Sequence, residues 1–127
     1  MKAHSTVALA MLAGAAIGGL AVEGIHAQAK PPAYYIAEID VKNEDLFNKQ
    51  WAPKAEETIK AAGGTYIVRG TAVEGIEGPA PKLVLISRWE NIDQLTAWRL
   101  SQAYWQTLPI LDKAARSVRS YTVEGIR

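Results

Sequence analysis

Polar side chains on the predicted strands are the groups with which this chain could act on a small molecule. Glu38, Arg69 and Arg88 each stand two positions from a strand isoleucine, so strand alternation places all three on one apolar sheet face. Arginine binds carboxylates through paired N–H donors, and a carboxylate can serve as a general base. The set therefore predicts Glu38 as a catalytic base and the two arginines as ligand anchors. An ion-pair network at a subunit interface, or side chains at solvated strand ends, would give the same pattern.

Three aromatic residues extend this predicted site. Tyr104 is predicted to be catalytic, as a hydrogen-bond donor to a substrate oxygen, and Tyr34 and Trp89 are predicted to contact the ligand. Large aromatic side chains also fill core and interface positions, where neighbours accept hydrogen bonds from their polar atoms. The sequence leaves both roles open for each of the three.

Composition excludes several classes of chemistry. The chain has no cysteine, and its two histidines, His4 and His26, both precede residue 30. The rest of the chain therefore lacks the residues for a disulfide, a reactive thiolate, a Ser-His-Asp triad or a histidine-ligated zinc or haem. No acidic cluster has metal-ligand spacing, so we expect no metal and no cofactor. The net charge of +1 is spread along the 127 residues, which argues against a nucleic-acid partner.

The N-terminus has the pattern of an export signal. Lys2 precedes an uncharged apolar stretch, Ala27-Gln28-Ala29 forms an A-x-A cleavage site, and the prolines of residues 30–32 suit a short linker. The pattern predicts a signal peptide over residues 1–29, export to the periplasm and no stable membrane insertion after cleavage. The alternatives are an uncleaved membrane anchor through residues 7–22, which is short for a bilayer span, and a cytosolic helix.

The elements that would position the site follow from hydrophobic periodicity. Strands are predicted over residues 33–41, 65–73, 82–89 and about 118–124, and helices follow the first and third strands. Asn43 and Asn91 are the expected N-caps, and Ser101 is expected to restart the second helix.

Pro53 and Pro109 are expected to kink or bend the two helices. The order β-α-β-β-α-β predicts an α+β, ferredoxin-like fold, with helices on one face of a four-stranded antiparallel sheet. The other face is predicted to be largely apolar, with Ile36, Ile67, Val84 and Ile86 on it. Such a face predicts a homodimer with its sheets face to face and a cavity between them.

These segments resemble the DUF1330 family over residues 33–126. The resemblance rests on the opening residues 33–36, the glycine-led second strand 63–70, the apolar run from Leu83 into Trp89, and the closing residues 121–125. It implies a dimeric α/β barrel. The wider superfamily includes cofactor-independent monooxygenases, haem-degrading enzymes and lactone isomerases, of which the haem-degrading members need a histidine ligand. Arg88 stands where many members have an acidic residue, so a role of that carboxylate does not transfer.

Two functions remain open at the level of sequence. One is an exported protein that binds a small anionic or aromatic molecule, or a cofactor-independent enzyme that carries out proton transfer or oxygenation on it, in a cavity at the dimer interface. The other is a non-catalytic dimeric interaction protein of the cell envelope. Neither the substrate nor the presence of an enzymatic activity follows from the residues alone.

Overall fold

The structure, a computed structural model, describes residues 29–127 of the chain. The predicted signal and the alternative anchor over residues 7–22 lie outside the described residues, apart from Ala29. Within the described part, no helix is long and apolar enough to cross a membrane. Residues from Pro31 to Arg127 form one compact unit.

Four strands form a single antiparallel sheet. Their bounds are β1 Ala33–Val41, β2 Thr65–Gly70, β3 Leu83–Trp89 and β4 Ala115–Glu124. The strand order in the sheet is β2-β3-β1-β4, so the two strands at the centre are the first and third in sequence. This order, with helices after β1 and β3, confirms the ferredoxin-like α+β prediction.

The first helical connection, α1, is continuous but not uniform. It consists of Glu44–Leu46, a π-helical turn Phe47–Trp51 and Ala52–Ala61. Pro53 lies at the start of the last segment and has no N–H to donate to the preceding turn. Instead of the predicted kink at Pro53, the helix contains a π-helical turn just before this proline.

The second connection is broken into three short helices. They are α2 Ile92–Arg99, α3 Gln102–Trp105 and α4 Leu108–Ala114. The Ser101 side chain caps α3, which confirms the predicted restart, and Pro109 lies in the first turn of α4 rather than at a bend inside a helix. Proline is favoured there because its missing N–H would have no partner in any case.

The other predicted helix ends are also observed. The side chains of Asn43 and Asn91 accept hydrogen bonds from the backbone N–H groups of Leu46 and Gln94. Gly63 ends α1 with a positive φ of 95°, a conformation in which glycine is not strained. These ends depend on local chemistry, which is why the sequence pattern alone located them.

The sheet packs its inner face against the helices. Most residues buried in this layer are apolar or aromatic. They are Ala33, Ala37, Ile39, Phe47, Trp51, Ala55, Ile59, Leu83, Leu85, Trp89, Leu95, Trp98, Tyr104, Leu111, Ala114 and Ala115. Ser87 and Thr107 are the buried polar residues of the described part. The core of the domain is thus the single layer between the sheet and the helices.

Within residues 29–127, no helix covers the opposite side of the sheet, which we call the open face. Strand register places these residues on it: Tyr34, Ile36, Glu38, Thr65, Val68, Val84, Ile86, Arg88, Arg119, Tyr121 and Val123. Ile36, Val84 and Ile86 lie on this face, as predicted. Ile67, the fourth residue predicted for it, lies at an irregularity in the pairing between Tyr66 and Val68 and is 51% exposed.

This irregularity corrects the predicted direction of Arg69. Because the pairing shifts at Ile67, Val68 pairs with Ile86 and Arg69 pairs with Leu85, whose side chain is in the core. A β-bulge of this kind inserts one residue and reverses strand parity beyond it. Arg69 therefore lies on the helix side of the sheet and not, as predicted, on the open face.

Candidate functional site

A cleft of about 540 Å³ lies between helix α1 and strands β2 and β3 on the helix side of the sheet. We refer to it as the α1 cleft. Its floor is formed by buried side chains from β1, β3 and the π-helical turn, namely Ile39, Leu83, Leu85, Phe47 and Trp51. The volume and the aromatic lining match those of sites for small organic molecules.

Arg69 supplies a cationic group to the α1 cleft. Its guanidinium lies 4.8 Å from the centroid of the Tyr66 ring, and its Nη2 atom lies 3.0 Å from Oε2 of Glu56. Stacking on Tyr66 and pairing with Glu56 fix the orientation of the planar group, while the side chain stays 53% exposed. The guanidinium is therefore held at the mouth of the cleft with donors that face the solvent.

Two of the carboxylates that line the α1 cleft, Glu56 and Asp40, are paired with cations outside it. Glu56 also contacts Lys60 at 3.3 Å, and Asp40 contacts Arg116 at 3.4 Å. The Arg69 guanidinium, by its hydrogen bond, holds the pKa of Glu56 below its usual value. Lys82 adds a second cation to the lining. Glu44 adds a third carboxylate to the lining, so an anionic ligand group would be attracted locally, at the Arg69 guanidinium and at Lys82, rather than by a net positive lining.

Tyr66 forms a wall of the α1 cleft as a neutral hydrogen-bond donor. Burial raises its pKa to about 12, more than the nearby Arg69 charge lowers it. The hydroxyl is thus protonated at neutral pH. Neither Tyr66 nor Glu56 has its pKa moved toward neutrality, so these two groups support binding better than proton transfer.

A second, much smaller cavity lies behind the α1 cleft. This inner cavity has a volume of about 20 Å³ and shares four lining residues with the α1 cleft: Ile39, Trp51, Tyr66 and Leu85. Its remaining lining includes Tyr35, Ser87, Trp98 and Tyr104, and no charged side chain is among the lining residues that the structure describes. A space of this size holds one water molecule or one small ligand group.

Tyr104 belongs to the inner cavity. Its hydroxyl lies 3.2 Å from that of Tyr35, and its ring packs on Trp98 with a centroid distance of 4.2 Å. Burial raises the pKa of Tyr104 strongly. The sheet separates it from Glu38 on the open face, so the structure does not bring together the two residues predicted to be catalytic. Tyr104 remains a protonated donor, with Tyr35 as a neighbour that the sequence did not indicate.

Glu38 lies on the open face in a different setting. Its Oε2 accepts a 2.7 Å hydrogen bond from the hydroxyl of Tyr121, and its backbone pairs with that of Arg119. The bond to the carboxylate raises the pKa of Tyr121. Tyr121 and Arg119 were missed in the sequence, although alternation along β4 places both on one face.

Arg88 and Tyr34 are neighbours on the open face. They pair directly across β1 and β3, whereas Glu38 pairs with Val84, four positions further along β3. At about 3.3 Å per residue, Glu38 and Arg88 are separated by roughly 13 Å within one protomer. The open face therefore presents these predicted site residues as separate groups, and their role in ligand binding stays a prediction.

Trp89 is a core residue, contrary to its predicted place at a ligand. It is 1% exposed, its Nε1 donates a 2.9 Å hydrogen bond to Oγ of Ser87, and its ring lies 5.0 Å from that of Trp98. Gly64 lies so close to the indole that a Cβ atom would meet it at 2.6 Å. Strand parity on β3 turns Trp89 to the helix side, where it packs under the end of α1.

A third cavity, the β4 cleft, opens between β4 and the short helices. It has a volume of about 410 Å³ and is lined by Tyr35, Arg99, Tyr104, Trp105, Leu108, Ser120, Tyr121 and Thr122. It is more open to solvent than the α1 cleft, and its lining is more polar. Within residues 29–127, no group of acidic or histidine side chains is arranged to hold a metal ion.

Comparison with solved structures places this fold among small ferredoxin-like proteins. A protein of unknown function from Rhodopseudomonas palustris is similar with a TM-score of 0.61 at 12% identity, over 82% of this chain and 93% of that chain. SnoaB, a cofactor-independent oxygenase from Streptomyces nogalater, has a TM-score of 0.56 at 7% identity, over 76% and 95%. A dimeric ferredoxin-like protein of unknown function from Jannaschia sp. has a TM-score of 0.57 at 9% identity, over 74% and 99%.

These likenesses concern the fold, because all three identities are low. No curated protein matches the sequence. In contrast, the sequence family described as a domain of unknown function, DUF1330, matches residues 32–126, nearly the whole described unit. Its extent agrees with the strands, the capped helices and the closing β4 described above. This chain therefore belongs to the DUF1330 family.

Proposed function

We propose that this protein binds a small aromatic or apolar organic anion in the α1 cleft. The observation that carries the proposal is the oriented Arg69 guanidinium, held by Tyr66 and Glu56 at the mouth of a cleft with an aromatic floor. An arginine recognises a carboxylate through parallel N–H donors, and the apolar floor takes up the rest of the ligand. The site differs from the inter-sheet cavity predicted from the sequence, because the bulge at Ile67 moves Arg69 to the helix side.

The test compares two arginine variants by calorimetric titration. We use 4-isopropylbenzoate as the probe, an aromatic carboxylate of a size that suits the α1 cleft. Arg69→Gln removes the charged anchor, and a charge-assisted hydrogen bond contributes about 1.5–3 kcal/mol, so affinity should fall roughly 10- to 100-fold. Stability should change little, since exposed ion pairs such as Arg69–Glu56 contribute about 0–1 kcal/mol.

Arg88→Gln is the matched control. Arg88 is an exposed arginine on the neighbouring strand, but its side chain lies on the open face, opposite Tyr34. We expect this variant to bind the probe as the wild type does. If instead Arg88→Gln weakens binding and Arg69→Gln does not, the ligand lies against the open face and the α1 cleft is the wrong site.

We also propose that the open face forms a homodimer. Its centre is apolar, and Tyr121 and Val123 are 42% and 50% exposed in the single chain. Similar folds from Jannaschia sp. and Thermobifida fusca are described as dimeric, which supports the proposal. Val123→Glu should convert a dimer into a monomer in analytical ultracentrifugation. If the wild-type protein is a monomer at micromolar concentration, the proposed homodimer is wrong, while the proposal of ligand binding in the α1 cleft still stands.

Export is the last part of the proposal and depends on the sequence signal alone. Cleavage after Ala29 would release a chain that begins at Lys30, next to the described unit. The mature N-terminus, read by mass spectrometry of protein expressed with its own leader, tests this. A retained Met1 would favour the anchor through residues 7–22 or a cytosolic location. Proton transfer or oxygenation on the bound molecule stays a prediction.

A further inference from the structure

One residue of the inner-cavity lining, Trp51, carries a buried donor without an acceptor. Trp51 is 3% exposed, and its indole Nε1 is the one buried side-chain nitrogen or oxygen of the described residues that has no hydrogen-bond partner. The other three tryptophans of the chain each donate, to Ser87 Oγ, Thr58 Oγ1 and the Arg99 carbonyl at 2.9–3.0 Å. An unsatisfied buried donor costs about 1–3 kcal/mol, so its presence beside a cavity calls for an acceptor.

The tyrosine pair adds a second surplus donor to the same cavity. The hydroxyls of Tyr35 and Tyr104 share one hydrogen bond of 3.2 Å, and either can be its donor. Two hydroxyls carry two protons, so one proton is left over whichever way the bond runs. Ser87 Oγ, also in the lining, already accepts from Trp89. Tyr35 and Tyr104 also line the β4 cleft, so their spare proton can face either space. Together with the Trp51 N–H, these hydroxyls suit a group that offers lone pairs.

The absence of charge in the inner cavity decides the kind of acceptor. No charged side chain is among the described residues that line it. An ionised carboxylate placed there would lose its hydration without a counter-charge, which is far more costly than burying a neutral oxygen. The volume of about 20 Å³ admits a group of one or two heavy atoms. A neutral carbonyl oxygen meets both conditions.

Trp51 and Tyr66 connect this cavity to the α1 cleft. Both residues line both spaces, and the Arg69 guanidinium lies 4.8 Å from the centroid of the Tyr66 ring. The anion anchor and the inner cavity are thus in contact with the same aromatic side chain. The π-helical turn that ends at Trp51 places the indole at this wall.

We propose that the inner cavity is the deep subsite of the α1 cleft and binds a neutral carbonyl oxygen of the ligand through Trp51 Nε1–H. The inference rests on the proposed function and narrows its ligand class to aromatic carboxylates with a carbonyl group at the opposite end. The carboxylate stays at Arg69, and the carbonyl end points into the domain.

The experiment uses two probes of nearly equal shape, 4-acetylbenzoate and 4-isopropylbenzoate, with the full-length ¹⁵N-labelled protein. Indole N–H signals of the four tryptophans are recorded by NMR, and Trp51→Phe identifies its own signal by loss. If that variant does not fold, contacts to the Phe47 ring, 4.9 Å from the Trp51 ring, identify it instead. Trp89 and Trp98 serve as internal standards because their indoles already donate hydrogen bonds.

With 4-acetylbenzoate, the Trp51 N–H proton should move downfield, and with 4-isopropylbenzoate it should not. The acetyl probe should also bind roughly 5- to 10-fold more tightly, as expected for one added hydrogen bond, and Trp51→Phe should abolish this preference. Equal binding of both probes, with no selective shift of Trp51, overturns the deep subsite and leaves the α1 cleft as proposed. Binding of neither probe overturns the proposed function itself.

Two further outcomes would also overturn the inference. A long-lived water with a cross-peak to Trp51 N–H, retained when the acetyl probe is bound, would show that the donor is satisfied by solvent. A shift confined to the indole of Trp105, which lines the β4 cleft, would place the probe on the other side of the domain.

Discussion

Gly64→Ala tests whether Trp89 is fixed in the core, as the structure requires, or is free to contact a ligand. Gly64 is buried at the end of α1, and a Cβ atom added there would lie 2.6–2.8 Å from three carbons of the Trp89 indole. Contacts this short force the ring or the backbone to move. The backbone of Gly64 is held by a 2.9 Å hydrogen bond to the Ile59 carbonyl, so the ring has to give way.

The cost can be worked from the contacts of Trp89. Displacing the ring weakens its 2.9 Å hydrogen bond to Ser87, which is worth about 1 kcal/mol. It also disturbs packing on Trp98, and overpacking of this kind costs typically about 1–3 kcal/mol. We expect a loss of about 2–3 kcal/mol in the free energy of unfolding. For a domain of this size that corresponds to a fall in Tm of roughly 10–20 °C.

Urea unfolding followed by far-ultraviolet circular dichroism measures this loss without relying on tryptophan fluorescence. Gly70→Ala is the matched control, because a Cβ atom at Gly70 meets nothing within 4 Å. Its φ is not positive, and alanine is favoured over glycine in a strand by about 0.5–1 kcal/mol, so this variant should be as stable as wild type or more so. A Gly64→Ala variant within about 0.5 kcal/mol of wild type would refute the packing argument, since changes that small are usual for surface positions.

Two further predictions concern partly buried polar groups. Thr58→Val removes the acceptor of the 3.0 Å hydrogen bond from Trp98 Nε1 and should lower the free energy of unfolding in urea by about 1–3 kcal/mol. The control Thr65→Val, at an exposed strand position, should lower it little. Equal losses in the two variants would contradict the role of this hydrogen bond. The pKa of Tyr66 is raised to about 12, so the folded state holds its proton more tightly than the unfolded state. Stability should therefore be full below pH 10 and fall between pH 10 and 12, and in Tyr66→Phe this fall should be smaller by roughly 2–3 kcal/mol. An identical pH dependence of the unfolding free energy in the two proteins would show that Tyr66 is solvated.

Much of the fold could be predicted because its signals are local. Asn43, Asn91 and Ser101 each accept a backbone N–H within three residues, so the helix starts depend on the sequence next to them. The alternation of β1 and β3 likewise identified their inner and outer faces. The helix at Pro53 was less predictable, since a proline can be accommodated by a bend, a break or a π-helical turn.

The candidate site could be predicted only in its residue types. The sequence identified Arg69 as a ligand anchor, but its direction depends on the bulge at Ile67, and a bulge is set by how β2 pairs with β3. In the same way, Tyr104 was recognised as a donor, while its partner Tyr35 lies 69 positions away in the chain. Trp51 gave no functional signal, because a missing acceptor is a property of the packed neighbourhood.

By itself, then, the sequence determined the order of strands and helices, the capped helix starts, the residue types available for chemistry and the absence of cysteine. These depend on interactions within a few residues or on composition. Only the tertiary structure decided that Glu38 and Tyr104 lie on opposite sides of the sheet, that Arg69 lies in the α1 cleft, and that Trp51 has an unused donor. Each of these depends on strand register and on side chains brought together from distant parts of the chain, which no local pattern encodes.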